Sequence, residues 1–231
     1  MSAAGRGTRR PRFGGILLVC SALLALLPVP RAGGEDFDLP PRNAWKKLYK
    51  KAEIIKTEVS REIEDDKTRW IDAYAELHTC TDIPFSRLRE TILNYESYPR
   101  IFKRNQDMQV IREDGAVYHD MVAGIEVLGA SYAVRFRQMA AVLVDEPNRL
   151  HIDYSYVRGD GRVKDVRGAW YFETLPGTDW CYVRYVAASR MAQRFPLQRL
   201  VMSLLIDGET RDALNQFLAA ARNGSAGDSM P

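Results

Sequence analysis

The segment Pro196–Arg222, PLQRLVMSLLIDGETRDALNQFLAAAR, decides the fold. Leu197, Leu200, Val201, Leu204 and Gly208 recur at helical spacing and predict one apolar face, with Arg199, Asp207 and Arg211 turned away from its centre. In the second half Leu214, Phe217, Leu218 and Ala221 take over, so the helix is expected to meet different partners along its length. Pro196 suits a first helical turn, and Asn223-Gly224 suits a stop. From Glu53 to Met191 the chain reads as strands, apart from one helical insertion near residues 84–103. A long sheet followed by a long amphipathic helix predicts a curved sheet gripping that helix. The functional surface is expected between them.

The strands are legible in order. Ile54–Val59 is short and β-branched, and Glu62–Lys67 is a charged turn. Trp70–Thr81 alternates, with Ile71, Ala73, Ala75 and Leu77 on one face and Asp72, Glu76 and His78 on the other, as in a half-buried antiparallel strand. Ile83-Pro84 ends it. Phe85, Leu88, Ile92 and Leu93 then give a short helix, and Asn94–Lys103 gives a second around Tyr98-Pro99. Six further strands follow: Met108–Arg112, Val117–Val127, Tyr132–Val144, Arg149–Val157, Asp165–Thr174 and Trp180–Arg190. Turn signals such as Asp114-Gly115, Leu128-Gly129 and Gly159-Asp160-Gly161 separate them, and connections this short impose an antiparallel meander.

The chain has 231 residues, 46% hydrophobic and 27% charged, which suits one globular domain or at most two. Residues 1–34 hold five basic residues and no acid; without them 28 basic residues face 30 acidic ones, and the balance falls from +3 to −2. The basic character belongs to this leader, so nucleic acid is not expected as a partner. A basic stretch to Arg12, the apolar run Gly15–Leu27 and Ala32-Gly33-Gly34 have the layout of a cleaved signal peptide. The expected location is exported, periplasmic or secreted, with an uncleaved membrane anchor as the alternative. Val19 before Cys20 argues against a lipoprotein site. Residues 35–42 read as a flexible lead-in, 43–222 as the domain and 223–231 as a disordered tail. Asn43–Lys51 predicts a helix capped by Asn43, burying Trp45, Leu48 and Ala52. Its lysines read as a solvated face, with transient membrane contact as the other use.

Three features taken together, YESYPRIFK at Tyr95–Lys103, GAWYFE at Gly168–Glu173 and the terminal helix, resemble the START-like, Bet v 1-type (SRPBCC) superfamily. Within it the chain is most similar in look to polyketide cyclase/dehydrase and coenzyme Q-binding START-type domains. The resemblance covers Trp45–Arg222. It implies an α+β helix-grip fold: a curved antiparallel β-sheet wrapped around a long C-terminal α-helix, with two short helices in the first crossover and an apolar cavity inside. It also implies that the strand before those helices lies beside the last strand, which puts Cys80 and Cys181 at one end of the pair. A bridge there would close a loop of about 100 residues and stabilise by roughly 4.7 kcal/mol at most. Strand alternation sets the two side chains on opposite faces, so two free thiols is the competing reading.

Chemistry is sparse. His78 and His151 read as surface residues, and His119 alternates with Val117 and Met121 and is expected to point inward. His119 and Asp120 are adjacent on a strand and cannot both line one cavity without a bulge. The sequence carries no G-x-S-x-G elbow, HExxH motif, P-loop or dinucleotide fingerprint, and no cofactor or metal is expected. A binding site asks instead for a concave apolar surface. The candidates are Val117, His119, Met121, Tyr132, Val134, Phe136, Ile152, Tyr154, Tyr156, Trp170 and Phe172 from the strands, with Leu197, Val201, Leu204 and Gly208 from the helix. Arg135 and Arg137 fall on the opposite face and are expected in solvent; turned inside by the sheet's pleat, they would instead hold an acidic head group. The expected function is binding or carrying a hydrophobic small molecule: a lipid, quinone or polyketide-like compound. The alternatives are a cyclase/dehydrase- or hydrolase-type enzyme using His119, and an interaction module with a solid core.

Overall fold

The computed structural model describes residues 38–63, 69–103, 105–127 and 130–224; side chains at 63, 105–106, 123–127 and 130–132 are not described. The leader, most of the lead-in, the tail beyond 224, part of the Glu62–Lys67 turn, the Leu128-Gly129 turn and the Tyr132 side chain therefore lie outside the described residues.

Helix α1 spans Arg42–Lys50 and is followed by β1 Glu53–Ile63 and β2 Arg69–Thr81. The crossover carries α2 Phe85–Leu93, a 3-10 turn Tyr95–Ser97 and α3 Tyr98–Ile101. Six strands complete the sheet: β3 Asn105–Glu113, β4 Ala116–Val127, β5 Ala130–Glu146, β6 Arg149–Gly159, β7 Val163–Thr174 and β8 Cys181–Ala192. Helix α4, Gln198–Asn223, ends the fold. The eight strands lie in the order β1-β2-β8-β7-β6-β5-β4-β3, every pair antiparallel. This is the helix-grip architecture.

Curvature has local causes. The β5–β6 register slips twice, at Arg137/Gln138 and at Val142/Val144, and such slips bend and twist a sheet. At the end of β6 a Cβ on Gly159 would sit 2.9 Å from the Arg135 carbonyl oxygen, so only glycine lets the two backbones come this close. The main core fills the concave side, where Leu77, Leu150, Ile152, Phe172 and Val183 meet Leu88 and Ile92 of α2 and Leu214, Phe217 and Ala221 of α4.

A smaller cluster covers the convex side: Trp45 and Leu48 of α1 pack on Cys80, Tyr171, Leu175 and Tyr182. Helix α1 begins two residues earlier than a cap at Asn43 would start it, after Pro41, with no side-chain cap. On this outer face His78 and His151 are not surface residues, contrary to the sequence reading. His151 is buried, with its Nε2 2.9 Å from Asp153 Oδ1 and its ring edge-on to Tyr171. His78 lies between Glu76, 2.7 Å from Nε2, and Tyr182, whose hydroxyl is 2.9 Å from Nδ1. Burial opposes ionisation of Glu76, but hydrogen bonds from His78 and Tyr74 and the Arg184 charge outweigh it and draw the carboxyl down to about 2.

The cysteines share one strand pair but not one face. Cys181 faces Thr81 and Cys80 faces Tyr182 in an unbroken register, so Cys181 joins the concave core and Cys80 the convex cluster. Both are free and buried, and the bridge is not formed. Burial pushes both thiols up, Cys80 to about 12 and Cys181 to about 11.

Candidate functional site

Helix α4 leans on β1, β2 and α2. The middle strands are not filled to the same depth, and a cavity of about 390 Å³ remains between them and the helix. Its inner wall is Met121 of β4, Phe136 and Gln138 of β5, Tyr154 of β6 and Trp170 of β7, with Tyr185 of β8 beside them. The crossover contributes Tyr98 and Phe102, and α4 contributes Met202, Leu205, Ile206, Thr210, Ala213 and Gln216. Gly168 lies in the same wall, where a Cβ would be 3.4 Å from the Val186 carbonyl oxygen and 3.7 Å from Tyr154. A larger residue would raise this part of the floor into the cavity.

Aromatic rings hold the wall in shape. Trp170 stacks on Tyr185 at 4.2 Å between centroids and lies 4.7 Å from Phe217 of α4. One end of the cavity is polar and neutral. The Tyr98 hydroxyl donates to the Ile92 carbonyl at 2.6 Å. With its single hydrogen used there, Tyr98 accepts from the Tyr154 hydroxyl, 2.7 Å away. Desolvation is the main cause raising both phenols far above the usual range, and it lifts Tyr185 to about 12. Gln138 reaches the cavity on one side, and its amide nitrogen is 3.4 Å from His119 Nδ1 on the other.

His119 lies behind this wall rather than in it. It is 0% exposed, surrounded by the rings of Tyr95, Tyr98 and Tyr154. Burial lowers its pKa to about 4, while the opposing charges of Glu96 and Arg112, themselves paired at 2.8 Å, pull in contrary directions. The imidazole is neutral at pH 7. None of the fully buried wall residues carries a charge; of the charged lining residues Asp212 is exposed and Arg167 and Glu209 are half-buried, Arg167 being paired with Asp165 at 2.7 Å.

Of the residues expected from sequence, Met121, Phe136, Tyr154 and Trp170 line the cavity. Val117, His119, Val134, Ile152, Tyr156 and Phe172 support it from the core or the ring cluster without reaching it. The helix residues are corrected. Leu197 is 61% and Leu204 72% exposed, Val201 is half-buried away from the wall, and Gly208 faces open space. Gln198, Met202, Thr210 and Leu214 form the inner face instead. Gln198 is satisfied locally, accepting from the Arg194 N–H at 2.6 Å and donating to Ala192 O; Thr210 donates to Ile206 O. A helix face read by polarity alone therefore comes out rotated. Gln138 and Tyr185 escaped the sequence reading, although strand alternation places Gln138 with Phe136 and Tyr185 with Val183. Arg137 lies on the outer face as expected, bound to Asp120 by two contacts of 2.6 and 2.8 Å.

Residues 82–218 match the family model for polyketide cyclase / dehydrase and lipid transport. No curated protein matches the chain in sequence. Among solved structures, the Zhui aromatase/cyclase from Streptomyces sp. R1128 is similar with a TM-score of 0.50 and 16% identity, over 68% of this chain and 99% of that one. A STAR-related lipid transfer protein from Xanthomonas axonopodis gives 0.50 and 9%, over 71% and 98%. Human StAR-related lipid transfer protein 5 gives 0.50 and 9%, over 71% and 86%. At these identities the likeness is one of fold.

Proposed function

The chain belongs to the polyketide cyclase/dehydrase and lipid transport family, and from that premise we propose that it binds and carries a hydrophobic small molecule bearing a neutral polar group. The observation that carries this reading is the cavity itself, whose deep wall is aromatic and aliphatic and whose polar groups there are phenols and an amide. Apolar ligand surface leaving water for such a wall gains about 25 cal/mol per Å². A hydroxyl or carbonyl group on the ligand could exchange hydrogen bonds with Gln138 or the Tyr98–Tyr154 pair. A carboxylate would find no buried cation, and an unpaired buried charge costs several kcal/mol. This favours a neutral lipid, a quinone or a polyketide-like ring over a fatty acid. An enzyme using His119 as general base gains no support from an imidazole that is fully buried and does not line the cavity, and a solid-core interaction module does not fit a hollow domain. The same proposal has the carrier working outside the cytoplasm, supported by the sequence of residues 1–34.

Organic extraction of the purified full chain, followed by mass spectrometry, tests the reading. A stoichiometric neutral apolar compound is expected. Binding assays with a quinone, a sterol and a fatty acid should rank the fatty acid last at pH 7. An empty protein that binds none of the three would remove the proposal.

A further inference from the structure

The first two turns of α4, with the residue before them, carry an exposed apolar stripe. Leu197, Leu200 and Leu204 are 61%, 56% and 72% exposed. Leu205 beside them is also exposed, and it lines the cavity as well. The stripe thus borders the entrance of the cavity. Its flanks are basic: Arg194 and Arg199 are exposed and have no carboxylate partner among the described residues. The acidic residues of the helix, Asp207, Glu209 and Asp212, all come later.

We propose that this stripe docks on the surface of an anionic lipid bilayer, with Leu197, Leu200 and Leu204 entering the acyl boundary and Arg194 and Arg199 meeting headgroup phosphates. Two arguments select this occupant over a second copy of the chain. The stripe is only two turns long and ends at Asp207, so it offers roughly a few hundred Å², short of the ~800 Å² per partner that a stable dimer buries. A short apolar face with adjacent arginines is, by contrast, enough for interfacial binding, where apolar burial and attraction to anionic lipid add. Docking here would also set the cavity mouth at Leu205 against the membrane. That last consequence rests on the proposed function; the docking itself does not.

A local reporter tests it in the full chain. An environment-sensitive fluorophore is attached at Leu204→Cys, and at Arg158→Cys as control, in a Cys20→Ser background; Cys80 and Cys181 are buried and will not react. Vesicles of phosphatidylcholine and phosphatidylglycerol carry a quencher in their acyl chains. The 204 label should be quenched severalfold more than the 158 label, and Arg194→Glu with Arg199→Glu should remove most of the difference. A signal at 204 reports insertion at that point even where residues 15–27 hold the chain on the vesicle. Equal quenching at both positions overturns the proposal, as does burial of the 204 label in a concentration-dependent dimer without lipid. Ligand content is read separately by extraction, so an undocked helix and an empty cavity are distinct failures.

Discussion

His119 sits in full burial among the rings of Tyr95, Tyr98 and Tyr154, and that makes it a source of pH dependence. Its folded pKa, lowered to about 4 chiefly by desolvation, lies below the ordinary value of 6.5. Between those values the unfolded chain takes up a proton that the folded chain refuses, so the stabilising effect is complete above about pH 6.5 and is lost as pH falls towards 4. At 1.36 kcal/mol per unit the full loss is about 3 kcal/mol. Urea unfolding of the native protein and His119→Phe at pH 7.5 and 4.5 isolates this contribution. The native protein should lose up to that much more stability than the variant on acidification; parallel losses would mean that the imidazole is not buried neutral.

At the scale of the element, α4 is divided into two halves with different work. Leu214, Phe217 and Ala221 are almost wholly buried in the main core, while the first half joins a small cluster, where Met202 meets Ile71 and Ala73 and the partly buried Ile206 packs against them. Phe217→Ala should therefore cost about 3–5 kcal/mol. Leu204→Asp should change stability by no more than about 0.5 kcal/mol, as at other exposed sites. Gly208→Ala should stabilise by about 1 kcal/mol, because its Cβ meets nothing within 4 Å and alanine is the better helix former. Thermal unfolding of the three variants checks the division. The element itself was legible in the sequence, as were all eight strands and the crossover, because periods of 3.6 and 2 survive any detail of packing. The phase of the first half was not. Its leucines face water and its inward positions include Gln198 and Thr210, which bond to their own backbone neighbourhood, so polarity misreports direction there. The deep wall was partly legible for the same reason: Met121, Phe136, Tyr154 and Trp170 follow strand alternation, whereas Tyr98 reaches the cavity only through the path of the crossover.

For the whole molecule, this division implies where the cavity opens. The C-terminal half of α4 is clamped by α2 and the sheet, while the N-terminal half has exposed leucines and a light seat, and it carries Leu205 and Ile206 over the entrance. Local opening follows the number of buried apolar contacts, so residues 198–209 are the segment expected to lift while 213–222 stay in place. Amide hydrogen exchange should show faster exchange in the first segment than in the second. A bound hydrophobic ligand should slow the first segment most, because it adds contacts to Met202 and Ile206 that the empty protein lacks. Ala213→Phe supplies the control: Ala213 lines the cavity, and a ring there should cut ligand content and mimic part of the slowing without any ligand present. Gly208→Leu, on the open side of the same helix, should do neither. Uniform protection along α4, or ligand loss in both variants alike, would place the opening elsewhere in the fold.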